Sequence, residues 1–259
     1  MGSAQIQNEL WSKAPKDWAV LQEPMHEPLW RGMLSATGVS SGTKLLDAGC
    51  GAGGLSSLAV QFGADVCGLD AAESLIAIAR QEAPRGDFRI GDLEALPYAD
   101  HTFDVVLAAN SVQYADDPVA ALSELKRVTR LGGRIAIGVW GQAENCEFRH
   151  IMKAVADAMP ESPKGGGPFT LSEPGALEAL LGQAGIVTDG RGEVGCPFDY
   201  ADVTTAWRAV ASGGPIQGAI RAAGEQSIKG AVTNATRQFV ADGGAVHIDN
   251  TMLYVTATV

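Results

Sequence analysis

The sequence predicts an α/β fold in which a doubly wound parallel sheet is covered by helices on both faces. Two observations carry this prediction. From Lys44 to Trp140, short apolar runs typical of buried strands alternate with segments of helical periodicity. The chain has 259 residues, of which 46% are hydrophobic, and this is enough for one such domain with a modest insertion. Alternation of this kind is characteristic of parallel sheets with helical crossovers.

The strands and helices of this region are expected in a regular order. Strands are predicted at 44–47, 65–70, 88–90, 103–109 and 134–140, and helices at 55–62, 72–82 and 118–129. Right-handed crossovers bring the carboxyl ends of all parallel strands to one edge of the sheet. Ligands bind at that edge, close to the point where the strand order reverses, so a site is expected there.

The segments around the strand–helix core, residues 41–195, are interpreted as additions to it. Residues 1–40 contain three tryptophans separated by prolines, which predicts short helical pieces that form an N-terminal lid. Residues 196–243 are predicted to form a small helical cap over the substrate side. Residues 244–259 are rich in β-branched side chains and are predicted to form the final core strand.

Between the fifth strand and the cap, the expected elements are shorter. A helix is predicted over 147–159, a flexible connector over 160–168, and a strand over 186–194. Ser172 is expected to cap a helix that runs to about Gln183.

Charge and cysteine usage limit the classes of partner. The formal net charge is -11, and an acidic surface repels nucleic-acid phosphates and anionic lipid heads, so neither a nucleic acid nor a membrane is expected as a partner. No apolar stretch approaches the roughly 20 residues of a spanning helix. The four cysteines are scattered without metal-ligand spacing, which favours reduced thiols, no metal site and a cytoplasmic protein.

The strongest motif is the glycine-rich turn after the first strand. Gly49, Gly51 and Gly54 fit the dinucleotide pattern G-x-G-x-x-G, whereas Asp47, Gly49, Gly51 and Gly53 fit D-x-G-x-G-x-G. A carboxylate at Asp47 would crowd a pyrophosphate, but it suits the ammonium of an amino-acid moiety. S-adenosylmethionine (SAM) carries an ammonium and a sulfonium but no phosphate. An NAD(P)-dependent oxidoreductase remains the alternative, because the literal dinucleotide pattern is present.

Acidic residues also follow the next two strands. Asp70 ends the second strand, where an acid typically accepts hydrogen bonds from both ribose hydroxyls, although it could instead cap the helix that begins near Ala72. Asp92 follows the third strand and is a candidate acceptor for the adenine amino group, with Leu93 packed on the ring. The polar run that begins at Asn110 ends the fourth strand at the same edge.

Four ordered motifs give the chain a family resemblance. The runs LLDAGCGAGG, GLD, GDLEALPYADHTFDVVLAANSVQY and ELKRVTRLGGRIAIGVWG resemble class I SAM-dependent methyltransferases, in the branch that includes ubiquinone/menaquinone-biosynthesis enzymes. The resemblance covers roughly residues 43–141. It implies a Rossmann-like seven-stranded sheet with an antiparallel last strand, and SAM as the cofactor. It also implies a cofactor site formed by Asp47, Ala48, Gly49, Gly51, Asp70, Ala71, Asp92, Leu93 and Asn110.

The acceptor side is less constrained by the motifs. A small-molecule methyl acceptor is expected, with its O, N or C nucleophile left open. His26 and His150 are candidate proton acceptors, because histidine is the usual base near neutral pH. Candidates for lining the acceptor pocket are Trp30, Tyr114, Tyr200 and Trp207, although aromatic side chains also serve as core residues. A SAM-binding protein without catalytic activity is a further alternative.

Overall fold

The computed structural model describes residues 3–161 and 167–259, so most of the predicted connector lies outside the described residues. The strands are β1 (Lys44–Ala48), β2 (Asp65–Asp70), β3 (Asp87–Ile90), β4 (Phe103–Ala109), β5 (Thr129–Trp140), β6 (Thr188–Gly195), β7 (Phe198–Tyr200), β8 (Val246–Ile248) and β9 (Thr251–Thr258). The helices are α1 (Ala4–Trp11), α2 (Pro15–Asp17), α3 (Glu27–Ala36), α4 (Gly54–Gln61), α5 (Glu73–Glu82), α6 (Pro118–Val128), α7 (Phe148–Asp157), α8 (Ala176–Gln183), α9 (Val203–Ala211), α10 (Gly214–Ala223) and α11 (Glu225–Thr236). Within the described ranges, no helix combines the length and apolarity needed to cross a membrane.

Seven strands form one sheet in the order β3-β2-β1-β4-β5-β9-β6. Strands β1 to β5 are parallel, and β9 runs antiparallel to both of its neighbours, β5 and β6. The predicted doubly wound, seven-stranded sheet with an antiparallel last strand is therefore confirmed. The order reverses between β1 and β4, so the loops that follow these two strands diverge and leave a crevice at the carboxyl edge.

Alternate residues of the central strands supply two separate hydrophobic layers. Leu45 and Val105 face a layer that contains helices α3 and α4, and Leu46 and Val106 face a layer that contains α6 and α8. Because successive side chains of a strand point to opposite faces, both faces of a doubly covered strand must be apolar. This is why the central strands appear in the sequence as continuous apolar runs rather than as alternating ones.

The predicted N-terminal lid contains two structurally different parts. Residues 3–26, called the N-terminal segment below, comprise α1, α2, a π-helical turn (Trp18–Gln22) and a 3₁₀ turn (Glu23–His26). Helix α3 is instead a core helix, whose Leu29 and Met33 are fully buried beside β5. Prolines occupy the first or second positions of α2, the 3₁₀ turn and α3, where a missing N–H costs no helical hydrogen bond.

Three local predictions in the carboxyl-terminal half are wrong. The sequence places residues 198–200 at the start of a helical cap, but Phe198–Tyr200 is extended and pairs with Val246–Ile248 in a two-stranded sheet. The last core strand therefore begins at Thr251 rather than near Val246. Between β8 and β9, the buried Asn250 side chain donates to the carbonyl of Ile248 and accepts from the N–H of Phe148, so it joins this connection to the start of α7.

Ser172 does not cap a helix. It ends a short 3₁₀ turn, and its hydroxyl donates to the carbonyl of Phe169. Helix α8 begins four residues later, after Gly175, whose φ of +80° allows the sharp entry that a non-glycine residue resists.

Candidate active site

A cleft at the carboxyl edge of the sheet lies between the loops after β1, β2 and β4 and the N-terminal segment. The space between its walls, counted together with the part that is open to solvent, is about 1350 Å³. One part is lined by the polar loops of the core, and the other is lined by apolar side chains from α7, α9 and α10.

The glycine loop adopts a conformation that requires glycine. Gly49, Gly51 and Gly53 have φ values of +81°, +54° and +92°, which side-chain-bearing residues rarely adopt. A Cβ atom on Gly53 would also lie 2.9 Å from the Cα of Ala79. The glycines of the D-x-G-x-G-x-G pattern therefore determine both the turn and its close packing.

Two predicted carboxylates hold the glycine loop. Asp47 is almost fully buried, lines the cleft and accepts a hydrogen bond of 2.7 Å from the Ser56 hydroxyl. Asp70 accepts from the N–H groups of Gly51 (2.9 Å) and Ala72 (2.8 Å), so it joins the loop to the start of α5. Burial raises the pKa of Asp47 to about 7 and also raises the pKa of Asp70.

Most of the other predicted cofactor residues line the same cleft. Ala71, Asp92, Leu93 and Asn110 are among its walls. Asn110 has a φ of +52°, and its N–H donates to the carbonyl of Gly138. Ala48 does not line the cleft: it is fully buried, and its carbonyl accepts from the Ser111 hydroxyl, so its contribution is structural.

The structure places only one of the two predicted proton acceptors at the cleft. His26 is buried in its wall, and its Nδ1 lies 3.2 Å from the carbonyl of Glu23. A carbonyl only accepts, so this contact assigns the proton to Nδ1 and leaves Nε2 as an acceptor. Burial lowers the His26 pKa to about 4, which keeps the ring neutral at pH 7. His150 is exposed on α7 beside Phe239, away from the cleft, because it lies on the outward face of that helix.

Of the four residues predicted to line the acceptor pocket, two line the cleft and two do not. Trp30 and Tyr114 line the cleft. Tyr200 does not, but its hydroxyl donates to the Gln22 side chain (2.8 Å), and Gln22 itself lines the cleft. Trp207 is buried in the core under Lys229 and does not reach the cleft, because the side of α9 on which it lies packs inward.

Sequence reasoning missed Glu23, the most constrained side chain of the N-terminal segment. Its carboxylate accepts from the N–H groups of Ala52 (2.7 Å) and Gly54 (2.8 Å) and from the indole N–H of Trp18. Burial raises its pKa to about 7, against the opposing effect of these hydrogen bonds. The only local signal was an acidic residue before Pro24, which indicates a helix start but not a partner 29 residues away.

The apolar wall of the cleft was also not predicted. Trp140 and Phe148 stack with ring centroids 5.1 Å apart and an interplanar angle of 8°, and Met152, Val210 and Ile216 continue the wall. Among the described residues that line the cleft, none is a lysine or an arginine. The position of Trp140 at the end of a strand was a usable signal, whereas the others come from helices without a motif.

Comparisons with known proteins agree with this geometry. Residues 46–137 match the family model described as "Methyltransferase domain". A demethylmenaquinone methyltransferase from Renibacterium salmoninarum is 32% identical over 123 residues, which are 47% of this chain and 52% of that protein. A malonyl-[acyl-carrier protein] O-methyltransferase from Pectobacterium atrosepticum is 39% identical over 104 residues, 40% of this chain and 41% of that protein. The matched region thus spans about half the length of these curated relatives or less.

A solved structure shares the whole fold. The geranyl diphosphate C-methyltransferase of Streptomyces coelicolor superposes with a TM-score of 0.58 at 14% identity, covering 99% of this chain and 97% of that chain. At this identity the likeness concerns the fold alone. The family model, however, spans the strands and the glycine loop that form the cleft. Residues 46–137 therefore match the model of the methyltransferase-domain family, as the resemblance of the four motifs predicts.

Proposed function

We propose that this chain is an enzyme that transfers the sulfonium methyl group of SAM to a small, uncharged and largely apolar molecule. The observation that carries this proposal is that the backbone N–H groups of the glycine loop already donate to carboxylates of the chain itself. The N–H groups of Ala52 and Gly54 donate to Glu23, and that of Gly51 donates to Asp70. A pyrophosphate, which binds to free amides at a helix N-terminus, would instead meet two carboxylates. This arrangement disfavours NAD(P).

Buried carboxylates beside the loop suit the cofactor that the family match suggests. Asp47 and Glu23 are buried beside the loop without a lysine or arginine on the described cleft wall. Buried carboxylates need a positive partner, and the ammonium and sulfonium of SAM would supply one. Asp70 and Ala71 would hold the ribose, and Asp92 and Leu93 the adenine. When bound, SAM supplies a methyl group that is already activated for transfer.

The residues of the chain would then align the acceptor and exclude water. Positioning alone can contribute about 7–11 kcal/mol to lowering a barrier in favourable cases. The stacked Trp140 and Phe148 offer a flat apolar surface for the acceptor. The neutral His26 offers Nε2 as the acceptor of a proton from a hydroxyl or amine nucleophile.

The charge of the cleft restricts the acceptor further. An anionic acceptor would face several carboxylates and no basic side chain on the described wall. The Streptomyces enzyme is named for geranyl diphosphate, and the Pectobacterium relative is named for an acyl-carrier protein. We do not transfer either acceptor to this chain. For this chain, a neutral ring-bearing small molecule fits the wall better.

Calorimetric titration with S-adenosylhomocysteine, with NADH as the parallel ligand, tests the cofactor. Micromolar binding of the first and none of the second is expected. Transfer of a labelled methyl group from SAM to a panel of neutral and anionic aromatic acceptors then tests the reaction. Binding of NADH alone would overturn the proposal in favour of an oxidoreductase. Cofactor binding without transfer to any acceptor would favour a SAM-binding protein without activity.

A further inference from the structure

We propose that Glu23 is a positioning residue that fastens the N-terminal segment onto the glycine loop, so that the cofactor enters and leaves only when this contact opens. The inference rests on the proposed function for the identity of the cofactor. The contact itself is independent of that function, because it joins two parts of the same chain and involves no ligand atom.

The contact joins Glu23 to the backbone at the start of α4 and in the loop just before it. Glu23 Oε1 accepts from the N–H of Gly54, and Oε2 accepts from the N–H of Ala52 and from the Trp18 indole. The first N–H groups of a helix have no partner within it and carry partial positive charge. A carboxylate from outside the helix therefore satisfies the first N–H group of α4, that of Gly54, and it comes from the segment that lines the cleft.

The glycine loop is shaped to receive this segment. A Cβ atom on Gly51 would lie 2.7 Å from Glu23 Oε2 and 3.3 Å from the indole nitrogen of Trp18. A Cβ atom on Gly54 would lie 2.8 Å from the Trp30 ring and 3.0 Å from Glu23 Oε1. These two glycines thus make room for the chain's own side chains, in addition to any ligand.

The other charged attachments of the segment are weaker. Asp17 pairs with Arg208, and Glu9 pairs with Arg221 at 3.3 Å, both on the surface. Exposed ion pairs contribute little to stability. Opening the Glu23 contact instead takes the acceptor from two backbone N–H groups of the loop, those of Ala52 and Gly54, and the loss of hydrogen bonds to a buried carboxylate is costly. Glu23 is therefore the attachment that controls whether the segment stays on the loop.

The segment also forms part of the wall of the proposed cofactor site. Gln7, Trp11 and Trp18 line the same cleft as Asp70 and Asp92. The Gln7 side chain donates to the carbonyl of Tyr114, another residue of the cleft wall. A molecule in contact with Asp70 and Asp92 would thus lie against the segment, and on this proposal its release requires the segment to move.

Stopped-flow tryptophan fluorescence measures the rate constants of S-adenosylhomocysteine binding and release. In Glu23→Gln, the amide NH₂ opposes a backbone N–H, so at least one hydrogen bond is lost. We expect release to be about tenfold faster, the equivalent of one lost hydrogen bond of roughly 1.4 kcal/mol. Trp18→Phe removes only the indole donor and should give a smaller increase. Glu27→Gln is the matched control, because Glu27 is exposed and pairs with Arg31 in the same part of the chain.

Trypsin cleavage after the exposed Lys13 and Lys16 gives a readout that needs no ligand. Without ligand, Glu23→Gln should be cut several times faster than wild type, and Glu27→Gln should match wild type. Unchanged cleavage and unchanged release in Glu23→Gln would overturn the inference, and if that variant does not fold, Trp18→Phe gives the same test. If the wild type binds no S-adenosylhomocysteine but cleavage still separates the variants, the proposed cofactor is wrong and the fastening role stands.

Discussion

Gly49 and Ser111 lie in direct contact across the floor of the cleft. A Cβ atom on Gly49 would stand 2.9 Å from the hydroxyl oxygen of Ser111 and closer still to its Cβ. Ser111 has little freedom to retreat, because its hydroxyl donates to the carbonyl of Ala48 at 2.7 Å. The loop after β1 and the loop after β4 are therefore held at a spacing that only glycine permits.

We predict that Gly49→Ala weakens S-adenosylhomocysteine binding by more than tenfold and destabilises the fold. A side chain at a φ of +81° is strained, and the clash with Ser111 adds to this, for a total cost of about 2 kcal/mol or more. Calorimetry measures the binding, and urea unfolding measures the free energy of unfolding. Gly182→Ala is the matched control, because Gly182 lies in helix α8 with open space around it and should be neutral or slightly stabilising.

Asp70→Ala is predicted to weaken S-adenosylhomocysteine binding far more than His101→Ala. Hydrogen bonds to a charged group contribute about 1.5–3 kcal/mol, which corresponds to roughly 10- to 100-fold in affinity. His101 is exposed, its ring lies within hydrogen-bond distance of the carbonyl of Thr129, and it is not among the residues that line the cleft. Equal effects of the two substitutions in calorimetry would contradict the assignment of Asp70 to the ribose.

Asp70 also holds the loop through Gly51, so its substitution has two possible consequences. Asp70→Asn keeps a carbonyl oxygen that can accept from one of the two backbone N–H groups. If Asp70→Asn and Asp70→Ala unfold at the same urea concentration but differ in affinity, the difference reports on the ligand. If they differ only in stability, the role of Asp70 is structural.

His26→Gln is predicted to lower kcat about 10²–10⁴-fold with a hydroxyl acceptor, the usual contribution of a general base. S-adenosylhomocysteine affinity should change little, because the neutral His26 ring carries no charge toward the cofactor. His150→Gln is the matched control and should retain wild-type kcat, since His150 lies on the exposed face of α7. Equal activity of both variants would exclude His26 as the base.

The parts of the fold that the sequence predicts depend on residues that are neighbours along the chain. The parts that were missed depend on contacts between residues that are far apart along the chain. Strand β2 and the D-x-G-x-G-x-G turn depend on neighbouring residues, since burial on both faces and positive φ leave local signatures. Strand β7 pairs with β8, Asp199 opposite His247, and no short pattern announces a three-residue strand with so distant a partner. The hydrogen bond between Glu23 and Ala52 likewise joins residues that are 29 positions apart, so no local pattern predicts it. Tyr200 and Trp207 were misplaced because an aromatic side chain suits a core and a pocket wall equally well.

The unfolding free energy of the ligand-free protein is predicted to fall as the pH rises from 6 to 8. The pKa of Glu23 is raised from 4.5 to about 7, and that of Asp47 from 3.8 to about 7. Such groups stabilise the fold below their unfolded pKa, and this stability is lost as the pH rises through the folded value. Each would cost about 1 kcal/mol over this interval.

His26 acts in the opposite direction, because burial lowers its pKa from 6.5 to about 4. Its contribution is present above pH 6.5 and is lost as the pH falls toward 4, so between pH 6 and 8 it offsets only part of the carboxylate effect. Cys50 and Asp70 also lie near the buried carboxyl groups of Glu23 and Asp47, and burial raises the pKa of each. Urea unfolding at pH 6 and pH 8 should show a smaller loss in Glu23→Gln than in wild type, and Glu27→Gln should follow wild type. Identical losses in wild type and Glu23→Gln would mean that Glu23 stays ionised in the fold, satisfied by its three donors alone.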